Sequence, residues 1–180
     1  QPASPAKRGE QSNNSYYLVV SRLVKWKRID IAIEACQHLK ANLKILGTGS
    51  DQKRLQNLSN KNIEFLSKVN REKLKELYCN CQALIVTQEE DFGIAAVEAQ
   101  ACGKPVIAYA KGGLAKIIKG GKTGLVFNRQ TSDSLKDAIV NSSKVKWDIS
   151  ACRNNALRFS RSRFTKQLTV QIANYANTRS

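Results

Sequence analysis

Acid is scarce in this chain. Of 180 residues, 14 are Asp or Glu against 30 Lys or Arg, a formal net charge of +16 at neutral pH. An excess of that size fits either a lysine-rich solvated surface or an anionic partner: nucleic acid, an anionic membrane face or a phosphorylated small molecule. The basic residues are spread along the chain, although 144–163 gathers six of them against Asp148. Only Trp147 and Phe159 stand among those cations, too few for the interleaved stacking platforms that nucleic acid requires, so nucleic acid is not an expected partner. Histidine is nearly absent, with His38 alone. The five cysteines (Cys36, Cys79, Cys81, Cys102, Cys152) include no C-x-x-C pair. Zinc needs about four N or S ligands, usually in closely spaced pairs, so no metal site is expected. An odd number of thiols packed as small hydrophobes fits a reducing cytoplasm. Apolar runs long enough to cross a bilayer, about 20 residues, are missing, and so is the apolar core of a signal peptide.

Two of the three prolines fall in the first fifteen residues, QPASPAKRGEQSNNS, which read as a flexible lead-in or linker (1–15). From residue 16 a regular alternation begins. YYLVVS, NLKILG, NIEFL, ALIVT, PVIAY and TGLVFN are short apolar strands, and the stretches between them repeat apolar residues at helical spacing. Strands apolar on both faces and separated by helices predict a parallel sheet covered on both sides. The expected fold is therefore α/β, a doubly wound, Rossmann-like domain of six parallel strands over 16–143. A helical tail, 144–180, packs on it, with Phe164, Leu168, Ile172 and Tyr175 on one helical face. Ligands of such folds bind at the carboxyl ends of the strands, which directs attention to the loops that follow them.

Two familiar phosphate motifs are incomplete. GGKTG (120–124) has Lys116 where a phosphate loop needs its first glycine, and it precedes a strand instead of following one. It reads as a turn. GTGSDQ (47–52) sits correctly between strand and helix, but Gln52 stands in place of a third glycine. Gly47 and Gly49 remain open to two readings, a close approach of backbone to ligand or a plain left-handed turn. After the first strand, SRLVKWKRID carries Arg22 and Lys27, which form either a solvated basic loop or a clamp for a pyrophosphate. The densest acid lies in TQEEDFGIAAVEAQ (87–100). Ile94, Val97, Glu98 and Ala101 share one helical face, so Glu98 is expected among apolar neighbours and in need of donors, from ligand hydroxyls or a backbone amide. Phe92, Gly93 and Ile94 open that helix with free amides, and Glu90 before it can accept from a polyol. Glu89 and Asp91 suit the helix dipole without a further role.

Read together, these pieces form an ordered pattern. The stretch 90–98 reads E-D-F-G-I-A-A-V-E, and 101–108 reads A-C-G-K-P-V-I-A. Upstream lie Arg22 and, five residues on, Lys27, then the G-x-G turn of Gly47 and Gly49, then F-L-x-x-V from Phe65 to Val69. From about Tyr16 to Val140 this resembles the donor-binding half of the retaining glycosyltransferases of family four, which have the GT-B fold. The resemblance implies a nucleotide-sugar as substrate, with no cofactor and no essential metal. Arg22 and Lys27 would hold the diphosphate and stabilise the leaving phosphate, while Glu90 and the amides of Phe92 to Ile94 would hold the transferred sugar. Glu98 would accept from the ribose, and Gly47 and Gly49 would border the nucleotide. The wording around VEAQACGKPVIAY is nearest to bacterial mannosyltransferase-like members, which favours GDP-mannose over a UDP-sugar. Lys25, Arg28, Gln88, Ala96 and Lys116 depart from the residues usual at their positions. The family's N-terminal acceptor domain is not among these residues, so turnover is expected to need that domain or a partner subunit. The basic surface would also suit peripheral contact with an anionic membrane carrying a lipid-linked acceptor. The alternative is a noncatalytic polyanion-binding module or a degenerate homologue.

Overall fold

The computed structural model describes residues 15–177. The lead-in expected over 1–15 therefore lies almost wholly outside the described residues. Six strands form one sheet: β1 (Tyr16–Val20), β2 (Asn42–Leu46), β3 (Ile63–Leu66), β4 (Leu84–Val86), β5 (Val106–Tyr109) and β6 (Gly124–Phe127). All neighbours are parallel, in the order β3-β2-β1-β4-β5-β6. Between the strands run α1 (Ile29–His38), α2 (Gln52–Leu58), α3 (Arg71–Asn80), α4 (Ile94–Ala101) and α5 (Leu114–Ile117). After β6 come α6 (Ser132–Ser143), α7 (Ile149–Leu157) and α8 (Arg161–Asn177).

The sheet buries both faces because its strands are apolar at odd and even positions alike. Tyr17 and Val19 of β1, Leu43 and Ile45 of β2, Ile85 and Ile107 point to one face, closed by α1, α6 and Leu55 of α2. Tyr16, Leu18, Leu84, Val86, Val106 and Ala108 point to the other, beneath α3, α4 and α5. Side chains cap the starts of α3 and α6: Asn70 Oδ1 accepts from the Lys73 amide at 2.8 Å, and Thr131 Oγ1 from the Ser134 amide at 3.3 Å. No helix among the described residues is long and apolar enough to cross a membrane.

The tail differs from the single amphipathic helix expected of it. It divides at Phe159–Ser160, where amide-to-carbonyl bonds three residues back tighten the end of α7. The first part, α7, packs on α4 and buries Cys152, Asn155 and Ala156. Asn155 Nδ2 donates to Gln100 Oε1 at 2.6 Å and to the Ile117 carbonyl at 2.7 Å, which pairs two polar side chains inside the domain. The second part, α8, keeps Phe164, Leu168, Ile172 and Tyr175 exposed, so it does not pack on the domain along its apolar face.

Candidate functional site

The strand order makes the chain leave β1 toward one edge of the sheet and β4 toward the other. Their connections wind onto opposite faces, so a crevice opens between the carboxyl ends of these two neighbours. A cavity of about 280 Å³ lies there. From the loop after β1 it is lined by Ser21, Arg22 and Lys27, and from the segment after β4 by Gln88, Glu90 and residues 92–96. The basic loop and the acid-rich stretch, some sixty residues apart in the chain, thus meet across one cavity.

Lys27 and Glu90 are in direct contact. Lys27 Nζ lies 2.8 Å from Glu90 Oε2, with the two side chains 12% and 28% exposed. Gln88, buried beneath them, donates from Nε2 to the same oxygen at 2.8 Å. Thr87 Oγ1 donates to the Lys27 carbonyl at 2.7 Å and fastens the basic loop to β4. The Lys27 ammonium also sits 4.2 Å from the centre of the Trp26 ring. Burial pushes the Glu90 carboxyl up, but the hydrogen bonds from Lys27 and Gln88 and the Lys27 charge outweigh it and hold Glu90 below the usual carboxylate range. Both bonds fall on Oε2, so among the described residues Oε1 accepts none. Arg22 lines the same cavity with its side chain exposed and, among the described residues, in no hydrogen bond or ion pair. Lys25 is exposed, and Arg28 turns away to Asp30 at 3.3 Å; neither lines the cavity.

Opposite the cations, Phe92, Gly93 and Ile94 line the cavity at the start of α4. Gly93 caps that helix with φ 70°, and a Cβ there would lie 2.3 Å from Leu114 Cδ2, so no larger residue fits. Phe92 is braced edge-to-face on Phe159 with ring centres 5.8 Å apart. Glu89 and Asp91 are exposed beside it.

Two of the expected site features come out differently. Gly47 and Gly49 do not line the cavity. A Cβ on Gly47 would lie 1.8 Å from the Ser21 carbonyl oxygen, and one on Gly49 would lie 2.1 Å from that of Leu23. The close approach they permit is between their loop and the β1–α1 loop, which the Leu23 amide also ties to the Thr48 carbonyl at 2.9 Å. Glu98 is exposed and not buried among apolar neighbours. The face of α4 that packs inward carries Ala96, Ala99 and Gln100, because the helix lies close against the sheet and α7 and only small or paired residues fit. Glu98 lines a second, wider cavity of about 630 Å³ with Arg71, Lys75, Tyr78 and Cys102. Its donor is the Tyr78 hydroxyl, 2.8 Å from Oε2.

Thr87 and Tyr78 carry no sequence signal of their own, and Gln88 stands out only as a departure from the residue usual there. Gln88 stands two residues before Glu90 and was legible as a neighbour of it. Tyr78 sits on α3, twenty residues from Glu98, with no local signal to pair them. Among the described residues no three His, Cys, Asp or Glu side chains are grouped as metal ligands would be.

A doubly wound parallel domain with cations and a carboxylate gathered at its switch point has the architecture of a nucleotide-binding α/β domain. Residues 1–155 match the family model described as glycosyl transferases group 1, and the chain belongs to that family. An uncharacterized glycosyltransferase of Methanocaldococcus jannaschii is 33% identical over 135 residues, covering 72% of this chain and 38% of that protein. The D-inositol 3-phosphate glycosyltransferase of Mycobacteroides abscessus is 30% identical over 149 residues, covering 76% and 34%. Among solved structures, the lipopolysaccharide outer core galactosyltransferase WaaB superposes with a TM-score of 0.80 at 22% identity, covering 93% of this chain and 51% of that one. Anabaena HepE in complex with UDP and glucose superposes with a TM-score of 0.77 at 24% identity, covering 89% and 48%. The chain thus spans a little over a third of these curated relatives and about half of the solved chains.

Proposed function

We propose that this chain is the donor-binding half of a retaining glycosyltransferase that uses a nucleoside-diphosphate sugar and no metal. The observation that carries the reading is the cavity at the β1–β4 switch point, where Arg22 and the Lys27–Glu90 pair face the amides of the α4 N-terminus. Two cations on one wall, Lys27 held in place and Arg22 exposed, suit a diphosphate, and they offset charge on the departing phosphate without a metal ion. Arg22, exposed and, among the described residues, unpaired through its side chain, is the first contact for the incoming anion. Lys27 is preset by Glu90 and Thr87, so little ordering remains to be done when the donor arrives. Glu90 Oε1 and the amides opening α4 are the acceptor and donors for sugar hydroxyls. Glu98, one turn further along α4, accepts from the ribose in the neighbouring cavity.

GDP-mannose is the favoured donor, on the wording of residues 98–109 and on 38% identity over 96 residues to the α-1,3/1,6-mannosyltransferase ALG2 of Dictyostelium discoideum. A UDP-sugar is the competing donor, since HepE is described with UDP. Turnover is assigned to this half together with an acceptor-binding half, and a membrane-borne acceptor is the one its basic surface suits. Calorimetric titration with GDP, UDP and ADP tests the reading. At least one is expected to bind, with Arg22→Ala and Lys27→Ala each weakening it by about 1–3 kcal/mol. Absence of binding to all three would overturn it.

A further inference from the structure

The proposed ribose acceptor, Glu98, is an exposed side chain on a helix surface, and such a carboxylate ordinarily samples several rotamers. Here it has a fixed partner. Tyr78 is 2% exposed, and its ring is packed in the core beneath α3 and α4 with Leu77, Cys81, Leu84, Ala96 and Ala99. A ring packed so closely leaves its hydroxyl one position, at the wall of the Glu98 cavity, and that position lies 2.8 Å from Glu98 Oε2. Burial, then the Glu98 charge and the hydrogen bond, push the phenol far above its ordinary range, so it stays a proton donor throughout neutral pH. The bond uses Oε2 and, among the described residues, leaves Oε1 without a donor, on the wall of the cavity shared with Arg71 and Lys75.

We propose that Tyr78 is a positioning residue for nucleotide recognition: its buried hydroxyl holds Glu98 in the one orientation in which Oε1 accepts from the vicinal diol of the nucleoside. The inference rests on the donor-binding reading and assigns that reading a residue from a different helix, outside every motif of the sequence. Preorganisation of this kind strengthens binding by removing the ordering cost, without any contact between Tyr78 and the ligand. It acts only on ligands that possess the diol.

That restriction supplies the test. The whole chain is titrated with the nucleoside diphosphate it binds most tightly and with the 2′,3′-dideoxy form of the same compound, using wild type, Tyr78→Phe and Glu98→Ala. Wild type is expected to prefer the ribonucleotide, and Glu98→Ala to erase the preference. Tyr78→Phe, which deletes one oxygen and keeps the ring, is expected to weaken the ribonucleotide about five- to tenfold and leave the dideoxy form unchanged. If Tyr78→Phe binds both compounds as wild type does while Glu98→Ala still erases the preference, the role of Tyr78 is overturned and the ribose reading stands. If Tyr78→Phe weakens both compounds equally, Tyr78 is structural and the inference is likewise overturned. If wild type does not distinguish the two compounds, or Glu98→Ala keeps the preference, the ribose reading fails and takes the role of Tyr78 with it.

Discussion

Glu90 is a carboxylate that its surroundings keep charged, and that has a consequence for stability. Its folded pKa lies below the ordinary value because Lys27 and Gln88 favour the ionised form by more than burial disfavours it. A group whose pKa falls on folding contributes stability above the unfolded value, and the contribution disappears as pH drops through the folded one. Glu90→Gln is therefore expected to cost about 1 kcal/mol at neutral pH. The difference from wild type should shrink toward zero as pH falls below the usual carboxylate range of about 4. Urea unfolding of both proteins at several pH values measures it, and a pH-independent difference would remove the ion pair as its cause. At this scale the sequence was only partly legible. Arg22, Lys27 and Glu90 stood out because a strand end precedes each of them, and the sheet order then brought them to one cavity. Glu98 was misplaced because Ile94, Val97 and Ala101 suggested a buried face, and α4 instead turns inward the smaller Ala96 and Ala99 with Gln100. Gln100 can be buried because Asn155 pairs it, a partner fifty-five residues away that periodicity does not reveal.

Helices α1 and α7 carry the next two expectations. The C-terminus of α1 closes with the Ala41 amide on the Cys36 carbonyl at 2.9 Å and the Lys40 amide on that of Gln37 at 3.1 Å. This double closure requires a left-handed residue just past the helix, and Lys40 supplies it at φ 52°. A side chain costs free energy in that conformation and glycine does not, so Lys40→Gly is expected to stabilise the fold by about 0.5–1 kcal/mol. A higher urea midpoint at unchanged slope is the supporting result. On α7, Asn155→Ala removes the donor to Gln100 Oε1 and to the Ile117 carbonyl inside the domain. The two stranded acceptors should cost about 1–3 kcal/mol, and an unchanged midpoint would show that α7 is not fastened through them. The strands and the first six helices were readable because alternating short apolar runs and helical periods repeat with clear turn residues between them. The break between α7 and α8 was not, since RFSRSRF holds neither proline nor glycine to mark the tightened turn at Arg158–Ser160.

Across the whole molecule the five cysteines report on how completely the two core layers are closed. Cys36, Cys81 and Cys152 are buried, while Cys79 and Cys102 are only partly so. Burial pushes the Cys36 and Cys81 thiols up to about 12 and Cys152 to about 11. Cys102 also rises to about 11, through burial first and then the hydrogen bond its thiol makes to Cys79. The thiolate is the reacting species, so a raised pKa and lack of access act in the same direction. With an aromatic disulfide reagent at mildly alkaline pH, Cys79 is expected to react first and Cys102 more slowly. The remaining three should react only as fast as the domain opens, because neither sheet face has a route to solvent without unpacking a helix. Chemical denaturant should expose all five at once. Cys36 lies on the inward face of α1 and Cys81 at the end of α3, on opposite faces of the sheet, so their rates test the two layers separately. Equal protection of both would mean that the layers open as one cooperative unit. Rapid reaction of Cys36 alone would place the weaker layer under α1, and rapid reaction of both would contradict the closed, doubly covered sheet on which the switch-point cavity depends.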